Sequence, residues 1–303
     1  MKLLQTNDTI RIIAPARKIA REELVCSIQY LQQKGFEVDF GEHLFSTFHQ
    51  YAGTDEQRAK DFQQALDDEH VQAIWCARGG YGSLRMVDLI DFSRFEQNPK
   101  WICGYSDVTV FHAHINNALH LPTLHATMPL NVQGENVQFE ALDTMLSALQ
   151  RGEVSYTISS NPRNREGKAE GVLCGGNLSV LYALNASISD IQTNGKILFI
   201  EDLDEYLYHI DRMMMCLKRS GKLDNLSALI VGGMTKMNDN SIAYGKTAEE
   251  IILEHVSEYD YPVCFGFPAG HIDDNRALIM GGNTVLEINK NEVNISGNVK
   301  VLH

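Results

Sequence analysis

Apolar and polar positions alternate in blocks along this chain, and block length and period separate strands from helices. Thr9 to Ala14 is a short apolar run, Glu22 to Leu31 has a helical period, and Phe36 to Phe40 alternates with a period of two. That is a βαβ unit. The pattern continues with a polar helix from Thr54 to Asp67, a buried strand from Val71 to Cys76, a helix from Leu84 to Ile90 and a strand from Trp101 to Gly104. Strands separated by helices imply a parallel sheet with crossover connections. From Ser155 to Lys168 the chain turns polar and rich in turn residues, which predicts an interdomain connection. Beyond it, apolar strands at Gly171 to Cys174, Ile197 to Ile200, Ala228 to Val231 and Val263 to Phe267 alternate with helices at Asn177 to Leu184, Ile210 to Leu217 and Ala248 to Val256. The segment from Thr284 to Ile295 reads as a hairpin. The expectation is two α/β domains, residues 1–160 and 161–303.

Composition narrows the class without changing that picture. Apolar residues make up 44 % and charged residues 21 %, with 23 Gly and 7 Pro, which excludes a disordered or low-complexity chain. The net charge of −13 repels phosphate backbones and anionic lipid, so neither nucleic acid nor membrane is an expected partner. The chain turns polar at Gln5 and carries no apolar run of spanning length, which gives the expectation of a cytoplasmic protein. The 6 cysteines are scattered with no Cys-x-x-Cys pair, as suits free thiols in a reducing compartment.

Candidate chemistry gathers at strand ends. In Cys103-Gly104-Tyr105-Ser106-Asp107-Val108-Thr109 an apolar strand runs directly into a helix. A serine on such a turn projects its hydroxyl above the sheet, while the amide at the helix start points where an oxyanion forms. Ser106 or Asp107 serves equally well as a helix cap. Arg78-Gly79-Gly80-Tyr81-Gly82 follows the strand Val71 to Cys76, and its glycines let a ligand approach the backbone closely. A plain turn and an anion loop are open there, but the Gly-x-Gly-x-x-Gly spacing of a dinucleotide site is absent. Gly175-Gly176-Asn177 repeats the arrangement. Of 11 histidines, His112, His114, His120 and His125 are close in sequence, yet His112 and His114 point apart on a helix, so no metal site is expected. His271 and Glu201 each follow a strand, where α/β sites form. Glu201-Asp202 with Asp204-Glu205 also reads as a solvated acidic loop.

Taken together, these segments resemble the LD-carboxypeptidase family of serine peptidases, which includes muramoyl-tetrapeptide carboxypeptidases and microcin C self-immunity peptidases. The resemblance begins at Ile13-Ala14-Pro15-Ala16 and Ala52-Gly53-Thr54 with Gln57-Arg58. It is strongest from Ala73 to Gly82 and from Gly104 to Thr109. It continues through Gly175-Gly176-Asn177-Leu178, Ile200-Glu201-Asp202, Ile210-Asp211-Arg212-Met213 and Gly270-His271 with Asn275. The resemblance implies a triad of Ser106 as nucleophile, His271 as base and Glu201 as its orienting carboxylate. It implies an oxyanion hole from the Gly80 and Asp107 amides, and substrate contacts from Arg78, Tyr81, Asn177 and Arg212. Arg212 has the alternative of a structural ion pair, for instance with Asp211. The implied fold is a parallel-sheet domain like class I glutamine amidotransferases, joined to a smaller swivelling α/β domain, commonly as a homodimer. No metal or organic cofactor is implied.

Two departures fall near the substrate. Tyr206-Leu207-Tyr208-His209 stands where the family commonly has Pro-Pro-Tyr-Arg, and His125-Ala126-Thr127 where it has His-Gly-Pro. The leading expectation is hydrolysis of an L-to-D peptide bond in murein-derived peptides with release of D-Ala. The alternatives are inactivation of peptidyl-adenylates and a non-catalytic protein that holds a small anion between two lobes.

Overall fold

A computed structural model describes residues 1–133 and 139–299. Thirteen strands are present among them: β1 Thr9–Ile13, β2 Glu37–Phe40, β3 Val71–Cys76, β4 Trp101–Gly104, β5 Thr123–His125, β6 Glu153–Ser159, β7 Gly167–Asn177, β8 Ile197–Leu203, β9 Ala228–Thr235, β10 Val263–Phe265, β11 Leu278–Met280, β12 Asn283–Ile288 and β13 Glu292–Asn298. They form a six-stranded sheet in the order β11-β5-β4-β3-β1-β2 and a seven-stranded sheet in the order β10-β9-β8-β7-β12-β13-β6. The first sheet is parallel except for β11, which runs antiparallel to β5. The second is parallel from β10 to β7 and antiparallel beyond it. The architecture is therefore mixed α/β, with two sheets. Trp101 to Gly104 and Ile197 to Ile200 are buried throughout, as central strands covered on both faces must be, and this is why they read as continuous apolar runs.

The sheets do not divide the chain cleanly at residue 160. Val154, Tyr156 and Ile158 turn one face of β6 inward, and its backbone pairs with β13, so the first part of the expected connection, Ser155 to Ser159, belongs to an edge strand of the second sheet. In the opposite sense, β11 returns from the second half to pair with β5 of the first sheet. Each strand goes where an open edge offers hydrogen-bond partners, which sequence position does not reveal.

Local capping and one buried arginine organise the first half. Thr54 caps the helix Asp55–Asp67 by accepting from the Gln57 amide at 3.3 Å, while the Gln57 side chain accepts from the Thr54 amide at 2.9 Å. One turn on, Arg58 is buried, donates to the carbonyls of Pro15 (2.5 Å) and Gly82 (2.9 Å), and pairs with Asp55. It thus ties the chain after β1 to the glycine loop after β3. The two sheets meet through the Asn177 amide at the end of β7, which donates to Thr109 Oγ1 at 3.0 Å. No helix among the described residues is long and apolar enough to cross a membrane.

Candidate active site

Strand ends from both sheets converge on one cleft. Ser106 sits two residues past β4 with φ of +63°, a left-handed conformation that costs a non-glycine residue energy and turns its side chain out of the strand path. Neither Ser106 nor Asp107 caps the helix Thr109–His114, whose N-terminus has no side-chain cap. The buried Asp107 carboxylate instead accepts from the Ser83 amide at 2.8 Å, tying the Ser106 turn to the far end of the glycine loop. Burial pushes the Asp107 pKa up, against the pull of the Ser83 and Gly82 amides and the Arg58 charge. A Cβ at Gly79 would lie 2.8 Å from Ser106 Oγ and 3.4 Å from the Asp107 amide nitrogen, so only glycine lets this loop approach so closely.

The other two members of the expected triad come from the second half. His271 Nε2 is 3.1 Å from Ser106 Oγ, and His271 Nδ1 is 2.7 Å from Glu201 Oε2. The same Glu201 oxygen accepts from the His271 backbone amide at 3.1 Å, so the carboxylate holds both the ring and its main chain. Gly270, at φ of +106°, makes this possible: a Cβ there would lie 2.6 Å from Glu201 Oε2. Tyr105 packs edge-on against the imidazole at a centroid distance of 4.9 Å. With Nδ1–H donated to Glu201, Nε2 is left as an acceptor for the serine proton. Burial acts to lower the His271 pKa, but the hydrogen bond and charge of Glu201, helped by Asp202, outweigh it and hold it above its usual value.

The acidic segment is not a solvated loop at its start. β8 runs on past Ile200 through a register irregularity between Ile200 and Asp202, and Glu201 and Asp202 are both buried. Such breaks re-aim side chains. Asp202 accepts from Asn177 Nδ2 (3.0 Å) and from the amides of Ser179 (2.9 Å) and Leu203 (2.8 Å). Burial, then the neighbouring Glu201 charge, pushes its pKa up to about 7.

Ser106 and His271 open into a cleft of about 480 Å³, together with Arg78, Gly80, Tyr81 and Asn177. Glu201 and Asp107 lie behind its wall. Asn177 is buried and largely spent on structure, donating to Glu201 Oε1 at 3.3 Å and accepting from the Val180 amide at 3.2 Å. Arg212 does not line the cleft: its guanidinium lies 5.1 Å from the Tyr208 ring centroid, on the exposed side of a helix. Nor does it pair with Asp211, which bonds His255 Nε2 at 2.8 Å. His112 is buried between Thr123 Oγ1 and the Gly104 carbonyl, both at 2.9 Å, and His114 bonds Ser189 Oγ at 2.9 Å. Among the described residues no cluster of three or more His, Cys, Asp or Glu side chains could hold a metal. Arg17, Asp202, Asp204 and Glu205 also line the cleft and were not singled out as site residues in the sequence. The signal for Arg17 was its place directly after Ala14-Pro15-Ala16, at the carboxyl end of β1.

The chain is similar to known proteins along most of its length. Residues 10–126 match the LD-carboxypeptidase N-terminal domain and residues 170–286 the LD-carboxypeptidase C-terminal domain. A probable murein peptide carboxypeptidase of Bacillus subtilis (strain 168) is 32 % identical over 288 residues, covering 94 % of this chain and 90 % of the relative. The murein tetrapeptide carboxypeptidase of Pseudomonas aeruginosa is 30 % identical, covering 93 % and 94 %. The microcin C7 self-immunity protein of Escherichia coli is 26 % identical, covering 97 % and 94 %. The crystal structure of muramoyltetrapeptide carboxypeptidase from Oxalobacter formigenes superposes with a TM-score of 0.89 at 25 % identity, covering 97 % of this chain and 100 % of that one.

Proposed function

The chain belongs to the LD-carboxypeptidase family and is a serine carboxypeptidase, and from that premise we propose that it releases a terminal D-amino acid, D-Ala, from murein-derived tetrapeptides through Ser106, His271 and Glu201. The observation that carries the assignment of residues is the relay from Ser106 Oγ to His271 Nε2 (3.1 Å) and from His271 Nδ1 to Glu201 Oε2 (2.7 Å). Ser106 Oγ attacks the scissile carbonyl while His271 takes its proton, and the amides of Gly80 and Asp107 receive the oxyanion. Each donor is typically worth ~2.7–4 kcal/mol at the transition state. Glu201 stabilises the imidazolium without taking its proton. His271 then protonates the leaving amine, and water enters by the reverse relay to free the serine. Glu201 and His271 reach Ser106 from the other half of the chain, so catalysis depends on how the halves dock.

The finer parts of this reading rest on family resemblance. They are a first sheet like that of class I glutamine amidotransferases, a second half that swivels to open the cleft, a homodimer, and a cytoplasmic place in peptidoglycan recycling. The six unpaired cysteines add support for a reducing compartment. Membership of a peptidase family weighs against the non-catalytic alternative. The match to the microcin C7 self-immunity protein keeps peptidyl-adenylates as the second substrate class. The test is mass spectrometry of the protein incubated with an L-centre–D-Ala muramyl tetrapeptide or a peptidyl-adenylate. Loss of D-Ala with the wild type and none with folded Ser106→Ala is the expected result. Cleavage of the adenylate alone favours the second substrate, and full activity in the variant overturns the nucleophile.

A further inference from the structure

Two guanidinium groups stand in the cleft without a salt-bridge partner, Arg78 feeling only the more distant charge of Glu23. Arg17 follows β1 and Arg78 follows β3, and both line the cavity that holds Ser106 and His271. Arginine ion pairs among the described residues involve Arg11, Arg58, Arg85, Arg163 and Arg276, which leaves Arg17 and Arg78 without one. Arg78 spends one N–H on the Lys18 carbonyl at 3.1 Å, and its Nε is buried with no acceptor. A buried donor left unpaired is costly, so a ligand that satisfies it gains that energy.

The glycine loop fixes where these charges stand relative to the nucleophile. A Cβ at Gly79 would meet Ser106 Oγ at 2.8 Å, and a Cβ at the next residue, Gly80, would meet Arg17 Cδ at 2.6 Å and Nε at 3.0 Å. The Arg17 side chain therefore lies against Gly80, the residue next to the glycine that touches Ser106. The second half of the chain adds an acidic wall of Asp202, Asp204 and Glu205 to the same cleft. Asp204 is held at the rim by a left-handed backbone (φ of +61°) and by Asn238 Nδ2 at 2.9 Å, while Glu205 pairs with His209 Nδ1 at 2.6 Å. One wall attracts a carboxylate and the other repels it.

We propose that Arg17 and Arg78 together bind a carboxylate of the peptide substrate and thereby decide which peptides are cut and in which orientation. Planar guanidinium forks match a carboxylate with paired hydrogen bonds, and the acidic wall rejects the reversed pose. The proposal rests on the murein-peptide reading, because such peptides offer two carboxylates near the scissile bond. One is the free terminus of the leaving D-residue. The other is the side-chain carboxylate of a diaminopimelate before it, which a lysine at that position lacks.

Four tetrapeptides separate these sources: free-acid or amidated D-Ala, each preceded by diaminopimelate or by lysine. Steady-state kcat and KM are measured for the wild type, Arg17→Ala, Arg17→Lys and Arg78→Ala. Arg17 is exposed, so its replacement keeps the test independent of folding. The expected result is a rise in KM of about tenfold or more for each alanine variant, the scale of one charge-assisted bond, restricted to peptides that carry the bound carboxylate. Arg17→Lys restores part of it. A loss confined to the free acids assigns the terminal carboxylate, and one confined to the diaminopimelate pair assigns the side chain. An equal loss on all four peptides, a fall in kcat alone or no change overturns the proposal while leaving the substrate reading intact. No cleavage of any of the four by the wild type overturns that reading and the proposal with it.

Discussion

Replacing Glu201 by glutamine is the sharpest perturbation, because it keeps shape and removes one charge. Oε2 accepts from both the ring and the main-chain N–H of His271, and Oε1 accepts from Asn177 Nδ2 at 3.3 Å. A carboxylate can accept all three bonds, whereas an amide cannot. If the glutamine oxygen faces His271, its NH2 opposes the Asn177 NH2. If it flips, its NH2 opposes the His271 amide and drives the imidazole to the tautomer protonated on Nε2, which cannot accept from Ser106. The comparable loss in a serine triad is ~10⁴-fold in kcat, and a similar fall is expected here. The pH dependence supplies an independent sign. His271 must be neutral to act as base, and Glu201 holds its pKa up, so the acid limb of kcat/KM lies above the ordinary histidine range. Losing that charge-assisted bond moves the limb to lower pH. The assay is the pH profile of kcat/KM on the tetrapeptide, with circular dichroism to establish folding. A folded variant within tenfold of wild type, or an acid limb that stays put or rises, refutes the relay.

Gly79→Ala places a methyl 2.8 Å from Ser106 Oγ, so kcat should fall ~100-fold or more while the melting temperature moves little, read by single-turnover kinetics and thermal melts. Arg58→Ala leaves the Pro15 and Gly82 carbonyls and Asp55 without their shared cation, for an expected loss of ~3 kcal/mol in urea unfolding and a reduced kcat from a loosened glycine loop. Asp202 has its folded pKa raised to about 7 from 3.8, so the folded state binds the proton more tightly than the unfolded one. Its contribution is therefore present below pH ~4 and is lost as pH rises towards ~7, and Asp202→Asn should flatten stability across that window in melts taken at successive pH values. An unchanged slope contradicts the burial argument.

Much of the fold was legible because its signals are local. Apolar runs such as Val71 to Cys76 and Ile197 to Ile200 announce covered strands, and the hairpin expected from Thr284 to Ile295 is present as β12 and β13. The errors fall where pairing is remote. β6 alternates Val154, Tyr156 and Ile158 with polar residues, and its partner lies well over a hundred residues away, so it read as a linker. β11 is three residues long, too short to carry a period, and it joins the first sheet only through β5. Glu201 was placed just beyond its strand because the irregularity that extends β8 to Leu203 depends on its register with β9.

The site divides along the same line. Residue order alone determined the turn at Ser106, the glycine loop and the strand ends that carry Glu201 and His271, since each is specified by a few adjacent residues. Their meeting across 165 residues, from Ser106 to His271, was decided by the tertiary structure. So was the difference between Arg17 and Arg212, two arginines of like exposure, one of which lines the cleft while the other rests on Tyr208. Side-chain periodicity reports which face of an element is buried, but which elements share a cleft depends on long-range pairing and docking, and no local pattern encodes that.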